Sequence, residues 1–216
     1  MTEARRADQI TRNRPDWITI ALSIIIFILG VLPCAPNAEQ AGNALSHRAN
    51  LGVGCHIQAH IPSAGTLDGS YNDQTKINGG GFKVKYRFQK NQIEELPINI
   101  ECVDVDNGRV NNGWARFDEY KNRWEAYFSG DDEDRRLLAP VTKVYQIQAI
   151  NSRGYVITID QTYGAPESRD RNMHFCLLRP PKALCGEAPV MRLNTPQNNA
   201  LPYVLEVLKS VEFIDD

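Results

Sequence analysis

The 216-residue sequence has no excess of basic residues, and this limits the kinds of molecule that the protein is expected to bind. Lysine and arginine number 24 against 26 aspartate and glutamate residues, which gives a formal net charge of −2 at pH 7. A protein that binds nucleic acid through its phosphates normally carries a basic surface. The composition therefore argues against a nucleic-acid partner.

Sequence motifs for common catalytic, metal and cofactor sites are also absent. The chain contains no G-x-S-x-G nucleophile turn, no H-E-x-x-H helix, no phosphate-binding loop and no dinucleotide fingerprint. Its cysteines form no C-x-x-C pair, which is the usual spacing in a zinc site. We therefore predict no catalytic residue, no metal and no cofactor, and we favour a non-enzymatic protein. The alternative is an envelope hydrolase that uses scattered carboxylates or His174.

An apolar stretch without a charged residue begins at Ile18 and ends at Leu32. Four arginines precede it, and no basic residue follows before Arg48. This asymmetry predicts a cytoplasmic N-terminus and export of the remaining chain. The length lies between that of a signal-peptide core and that of a membrane-spanning helix. We therefore expect a periplasmic domain, either released by cleavage or anchored to the bacterial inner membrane through this stretch.

Four cysteines follow the export segment, and an even number in an oxidising compartment is typical of disulfide bonds. Cys176 and Cys185 flank a segment with two adjacent prolines, which favours a turn that brings the two thiols together. Cys55 and Cys102 are then paired by elimination. We therefore predict two structural disulfides and no reactive thiol among these four residues.

Alternating apolar and polar residues recur along the chain and predict antiparallel strands. The segments with this pattern are residues 55–61, 82–88, 98–105, 114–120, 123–128, 142–150, 155–161, 172–178 and 188–193. Near the C-terminus the period becomes helical at Leu201, Val204, Leu205, Leu208 and Val211. The prediction is an α+β fold with an antiparallel sheet of about seven strands built from hairpins, and one amphipathic helix on the sheet.

The sequence predicts three regions along the chain. Residues 1–38 form the signal peptide or anchor, residues 39–54 a flexible tether, and residues 55–216 the disulfide-braced domain. Residues 62–81 are rich in Gly, Ser, Asn and Asp and are interpreted as a loop. The acidic run at residues 131–134, which two arginines follow, is interpreted as a solvated loop.

Aromatic residues are concentrated in the hairpin at residues 114–128. Trp114, Tyr120, Trp124 and Tyr127 form a candidate binding surface, because exposed aromatic patches often mark interaction sites. A small, disulfide-braced scaffold with polar loops predicts a protein-binding module of the cell envelope. One version is an inhibitor or immunity protein of a periplasm-acting toxin. A carrier of lipid or another small ligand is a further alternative, and nothing in the sequence sets an oligomeric state.

Overall fold

The computed structural model describes residues 45–61, 65–72, 77–89, 92–108, 110 and 113–215. The described strands are β1 (Leu45–Asn50), β2 (His56–Ile61), β3 (Thr66–Asn72), β4 (Ile77–Gln89), β5 (Gln92–Asp104), β6 (Ala115–Asp118), β7 (Arg123–Ala126), β8 (Thr142–Gln148), β9 (Arg153–Asp160), β10 (Asp170–Arg179), β11 (Lys182–Arg192) and β12 (Glu212–Ile214). The α-helices described along their whole length are Asp132–Leu138 and Leu201–Lys209, and the 3-10 turns so described are Ala139–Val141, Pro166–Ser168 and Pro196–Asn198.

A seven-stranded antiparallel sheet organises the fold. Its strand order is β3-β4-β5-β11-β10-β9-β8. This confirms the predicted sheet of about seven strands, although the domain is mostly β. The hairpin of β8 and β9 arises as the β-branched alternation predicts, and it lies at one end of the sheet.

One face of this sheet carries the main core. It is covered by a three-stranded sheet of order β1-β2-β12 and by the C-terminal helix Leu201–Lys209. The helix buries the side chains of Leu201, Val204, Val207 and Leu208, largely the stripe that the period predicts. Burial of such aliphatic side chains stabilises the fold by about 1.5–3 kcal/mol for each one.

The two predicted disulfides are present. Cys55, next to β2, is bonded to Cys102 on β5 and thus joins the two sheets, and Cys176 is bonded to the directly opposite Cys185 on β11. All four side chains are buried. Disulfides form and persist in oxidising environments, so the domain is indicated to reside outside the cytoplasm.

Among the described residues, cover on the opposite face of the large sheet extends over only part of its width. The β6–β7 hairpin is a separate two-stranded sheet that lies against β8 and β9. Trp124 of the hairpin contacts Tyr155 and Phe117 in a second, smaller core. The remainder of this face, over β5, β10 and β11, forms a groove.

The N-terminal boundary of the fold differs from the prediction. Residues 39–54 were expected to be a tether, but Leu45–Asn50 forms strand β1 and pairs with β2 along its length. The predicted signal or anchor at residues 1–38 lies outside the described residues. Where the structure describes the chain, no helix has both the length and the apolar character needed to cross a bilayer.

The segment at residues 62–81 was expected to be a loop, but it contains β3 and the start of β4. Gly69 and Gly80 are paired across these two strands. A Cβ atom on Gly69 would lie 2.8 Å from the carbonyl oxygen of Asn50 and 2.9 Å from the Cβ of Ala49. The glycines are therefore needed because the end of β1 crosses close above them.

Candidate functional site

The groove lies over β5, β10 and β11 and extends to the point where the pairing of β5 with β11 stops. The shared register runs from Lys182 opposite Asp104 to Glu187 opposite Asn99. Continued by two residues, it would place Pro189 opposite Pro97. Neither proline has an N–H group, so neither can donate to a neighbouring strand. The two strands therefore separate at this point, and beyond it the carbonyl of Val190 accepts a hydrogen bond from the N–H of Ala200 at 2.9 Å.

Two adjoining cavities, each of about 370 Å³, make up the groove. They share Asn99, His174 and Glu187. The first is also bordered by Trp114 and Glu101, and the second by Pro97 and Pro189. Each volume is at the lower end of the range for small-ligand pockets, and it is sufficient for one amino-acid side chain.

The indole of Trp114 is stacked on the imidazole of His174. The ring centroids are 4.3 Å apart and the planes are inclined by 22°. Nδ1 of His174 lies 3.3 Å from Oε2 of Glu187, and the two side chains are 17% and 64% exposed, respectively. Burial lowers the pKa of His174, although the Glu187 carboxylate partly opposes this shift. The lowered pKa favours the neutral imidazole at pH 7.

The floor of the groove is chemically inert. It contains the disulfide of Cys176 and Cys185 beside the buried ring of Tyr155, whose hydroxyl donates to Sγ of Cys176 at 3.6 Å. Burial raises the pKa of Tyr155 to about 12, and a backbone hydrogen bond from Trp114 only partly offsets it. Neither a thiolate nor a phenolate is available here at neutral pH. The titratable groups of the groove that remain are the His174 imidazole and the carboxylates of Glu101 and Glu187.

The β6–β7 hairpin presents a second surface at its turn. Tyr120 is fully exposed there, and Asn122 adopts a positive φ of 50° that closes the turn. The N–H of Lys121 donates to Oδ1 of Asp118 at 3.0 Å. The ammonium group of Lys121 contacts Oε1 of Glu125 at 2.8 Å, and Arg123 contacts the same oxygen at 2.7 Å.

These contacts explain the pKa shifts in the turn. The backbone N–H of Lys121 lowers the pKa of Asp118 by hydrogen bonding to its carboxylate. The Lys121 ammonium lowers the pKa of Glu125, and Glu125 in return raises the pKa of Lys121. The Asp118 carboxylate thus accepts a hydrogen bond within the turn that carries Tyr120, and the ion pair of Lys121 with Glu125 lies beside it on the surface.

The four aromatic residues of the predicted surface occupy four different environments. Trp114 is 40% exposed and borders the groove, whereas Tyr120 is at the tip of the hairpin. Tyr127 lies under the guanidinium of Arg116, 3.4 Å from the ring centroid. Trp124 is only 9% exposed and belongs to the core, so the prediction of an exposed role for Trp124 is wrong.

The groove itself was not predicted from the sequence. Glu187 and Asn99 are brought together by the β5–β11 register, which connects positions far apart in the chain. The one available signal was the presence of Pro97 and Pro189 within strand-like segments, since proline interrupts a central ladder. His174 was singled out for an alternative hydrolase, and the structure does place it beside carboxylates.

Metal-ligating side chains do not converge in the described parts of the chain. No group of three or more His, Cys, Asp or Glu residues there is arranged to hold a metal ion. His56 and His60 are on one strand, β2, and are four positions apart. A separation of about 13 Å along a strand is too large for both to bind one ion.

No protein-family model matches the chain, and no curated protein matches its sequence.

Proposed function

We propose that this chain is an exported, non-enzymatic protein-binding module of the bacterial cell envelope. It acts in the periplasm, either released or anchored to the inner membrane through residues 18–32. The observation that carries the proposal is Tyr120, which is fully exposed on a turn where the Asp118 carboxylate accepts a hydrogen bond from the N–H of Lys121. The two disulfides support the extracytoplasmic location.

A hydrogen-bonded turn with an exposed tyrosine is well suited to protein recognition. Tyrosine is enriched among the residues that dominate interface energies, because its ring buries a large area and its hydroxyl can form a hydrogen bond. A turn that is already ordered loses little conformational entropy on binding. One specific form of the proposal is an inhibitor or immunity protein whose hairpin enters the cleft of a periplasm-acting toxin.

The test is quantitative capture of a periplasmic partner by the full chain. A stoichiometric partner should be retained by the native chain and by Tyr163→Ala, and its affinity should fall about 30-fold in Tyr120→Ala. Tyr163 is the matched control because it is a second exposed tyrosine, 76% accessible, in a different loop. Absence of a stoichiometric partner, or equal capture by all three chains, would refute the proposal.

A second candidate function is hydrolysis at His174. The neutral imidazole lies beside Glu187 in a groove that Glu101 also borders, so it could act as a general base towards water. A hydrolase predicts turnover of ester or glycoside substrates that is lost in His174→Gln and retained in His60→Gln. Equal turnover by the two variants would remove this candidate.

A further inference from the structure

We propose that the groove beside Trp114 binds an uncharged glycan built of 2-acetamido sugars. This site goes beyond the proposed protein-binding function and does not depend on Tyr120. Three features of the groove support it, namely the partners of its carboxylates, its aromatic wall, and the order in which its polar and apolar residues follow each other.

The groove favours an uncharged ligand. Glu187 contacts His174, and Glu101 is not without a partner in the chain, so neither carboxylate needs a cationic ligand. None of the described residues that line the two cavities is a lysine or an arginine. A phosphate, sulfate or carboxylate of a ligand would therefore find no counter-charge among them. A neutral molecule that is rich in hydroxyl groups meets neither obstacle.

The indole of Trp114 supplies a surface for a sugar ring. It borders the first cavity, remains 40% exposed and is stacked on His174. The Trp114 carbonyl also accepts a hydrogen bond from the N–H of Tyr127 at 2.9 Å. The face of an aromatic ring is electron-rich, and the C–H groups on one side of a pyranose ring pack against it. Because this wall is already packed, its ordering adds little to the entropic cost of binding.

Polar side chains lie where the two cavities adjoin. Asn99, His174 and Glu187 border both cavities, and the residues Asn99 and Glu187 are exposed. The amide of Asn99 is both a donor and an acceptor, and a carboxylate with one partner retains further lone pairs. These groups match the hydroxyls and the amide N–H of an acetamido sugar.

The second cavity accounts for the acetamido group. Beyond the shared polar residues it is bordered by Pro97, Ala188 and Pro189, which offer apolar surface without a side-chain donor or acceptor. With the sugar ring on Trp114, the acetamide would pass Asn99 and its methyl group would meet this apolar surface. A simple hexose has a hydroxyl in that place, which would lack a partner there. The sequence of indole, polar groups and apolar wall therefore matches a 2-acetamido sugar.

The groove is open along its side. Pro97, Asn99, Glu187 and Pro189 are exposed residues of its border. An enclosed pocket would accept only a free monosaccharide, whereas an open groove allows the sugar chain to continue on either side. The ligand class is therefore a glycan.

The test is an NMR titration of the full chain with N,N′-diacetylchitobiose, a neutral disaccharide of 2-acetamido sugars. Two disaccharides of the same linkage are the controls. Cellobiose has hydroxyls in place of the acetamido groups, and deacetylated chitobiose has ammonium groups there. The acetylated disaccharide should shift the Trp114 indole and His174 imidazole signals and saturate at millimolar concentration. Both controls should bind about 5-fold more weakly.

Matched variants locate the interaction. Trp114→Leu should weaken binding of N,N′-diacetylchitobiose about 3- to 10-fold through loss of the stacking surface. Tyr163→Ala is the control, because it removes an exposed aromatic ring from a different loop, and it should leave binding unchanged. Asn99→Ala removes an exposed side chain without opening the core, and it should weaken binding about 3- to 10-fold through loss of hydrogen bonds.

Absence of a saturable shift at Trp114, or equal binding of cellobiose, would overturn the inference. Equal or tighter binding of deacetylated chitobiose would also overturn it, because the groove would then accept a cation. Unchanged binding in both Trp114→Leu and Asn99→Ala would place the sugar elsewhere on the protein and refute this site. None of these outcomes affects the proposed function, since Tyr120-dependent capture of a periplasmic protein is measured without a sugar.

Discussion

The side-chain amide of Gln146 exchanges two hydrogen bonds with the backbone of Trp124. The Trp124 N–H donates to Oε1 at 2.8 Å, and Nε2 donates to the Trp124 carbonyl at 2.9 Å. Gln146 is on β8, which is an edge strand of the large sheet. The amide thus takes the place of a peptide group and fixes the β6–β7 hairpin to that edge.

Loss of this amide should destabilise the domain. Gln146→Met retains the length of the side chain but removes both hydrogen bonds, so we expect the free energy of unfolding to fall by about 1–3 kcal/mol. Lys143→Met on the same strand is the control, with an expected change within about 0.5 kcal/mol. Urea denaturation of the full chain measures both values, and equal stabilities would contradict the role of Gln146.

The same arrangement joins the C-terminal strand to the large sheet. Nδ2 of Asn151 donates to the carbonyl of Phe213 at 2.7 Å, and the Phe213 N–H donates to Oδ1 at 2.9 Å. Side-chain amides therefore connect the large sheet to both smaller sheets. No local sequence pattern shows this, because Gln146 and Asn151 are ordinary polar residues of a strand and a turn.

The close approach of β1 to Gly80 gives a second prediction. A Cβ atom at Gly80 would lie 2.9 Å from Cδ2 of Leu51 and closer still to the carbonyl oxygen of Asp68. Gly80→Ala should therefore lower the free energy of unfolding by about 1–3 kcal/mol, the usual cost of overpacking.

Gly81→Ala is the matched control for this substitution. Its added Cβ would meet the carbonyl oxygen of Ile98 at 3.5 Å, which is an ordinary contact. The change should be neutral or should stabilise the protein by up to about 1 kcal/mol, because alanine restricts the unfolded chain. Equal destabilisation by both substitutions in thermal unfolding would argue against a close contact of Leu51 and Asp68 that is specific to position 80.

The parts of the fold that could be predicted from sequence are those with a local periodic pattern. The β-branched alternation predicts β8 and β9, and the apolar stripe from Leu201 to Leu208 predicts the C-terminal helix. The proline turn between Cys176 and Cys185 also predicts the short disulfide, and the remaining pair follows.

The strands that were not predicted lack such a pattern. β3 has the sequence TLDGSYN, which resembles a loop, and its glycine is explained only by the approach of β1. The helix Asp132–Leu138 was interpreted as a loop although Asp131 caps it by accepting hydrogen bonds from two backbone N–H groups. Its acidic first turn and basic last turn favour a helix and could have been recognised.

The candidate site was predictable only in part. Trp114 and Tyr120 could be chosen as exposed aromatics, but the same pattern also selected Trp124, which is buried against Tyr155. Which face of a hairpin meets a sheet depends on tertiary packing. One end of the groove lies near Pro97 and Pro189, where the pairing of β5 with β11 has ended, and this position follows from a register between distant strands.

The two disulfides should contribute unequally to stability. Their sequence separations are 47 residues for Cys55–Cys102 and 9 residues for Cys176–Cys185. Loop entropy in the unfolded chain predicts contributions of about 4 and about 2.6 kcal/mol, respectively. Paired replacement by alanine, followed by denaturation of each variant, should therefore give the larger loss for Cys55→Ala with Cys102→Ala. The reverse order would show that the loop entropy of the unfolded chain is not the main source of the stabilisation by these disulfides.

The stability of the domain should decrease on mild acidification because of His174. Burial lowers the pKa of His174 in the folded state, while the unfolded chain has an ordinary histidine pKa of about 6.5. Below pH 6.5 the unfolded state therefore binds more protons, and the free energy of unfolding falls until the pH passes the folded pKa. Above about pH 7.5 His174 is neutral in both states, so its titration does not lower the stability there. The loss of stability on acidification should be smaller in His174→Gln, whereas His60→Gln should retain it.

Glu187 allows the cause of this pH dependence to be tested. Its carboxylate favours the imidazolium and so raises the pKa of His174 against the effect of burial. Glu187→Gln should therefore lower the pKa of His174 further and extend the acid-induced loss of stability to lower pH. NMR titration of the His174 ring in both chains measures the shift directly. A higher pKa of His174 in Glu187→Gln would mean that the carboxylate does not act on the imidazole through the contact at Nδ1.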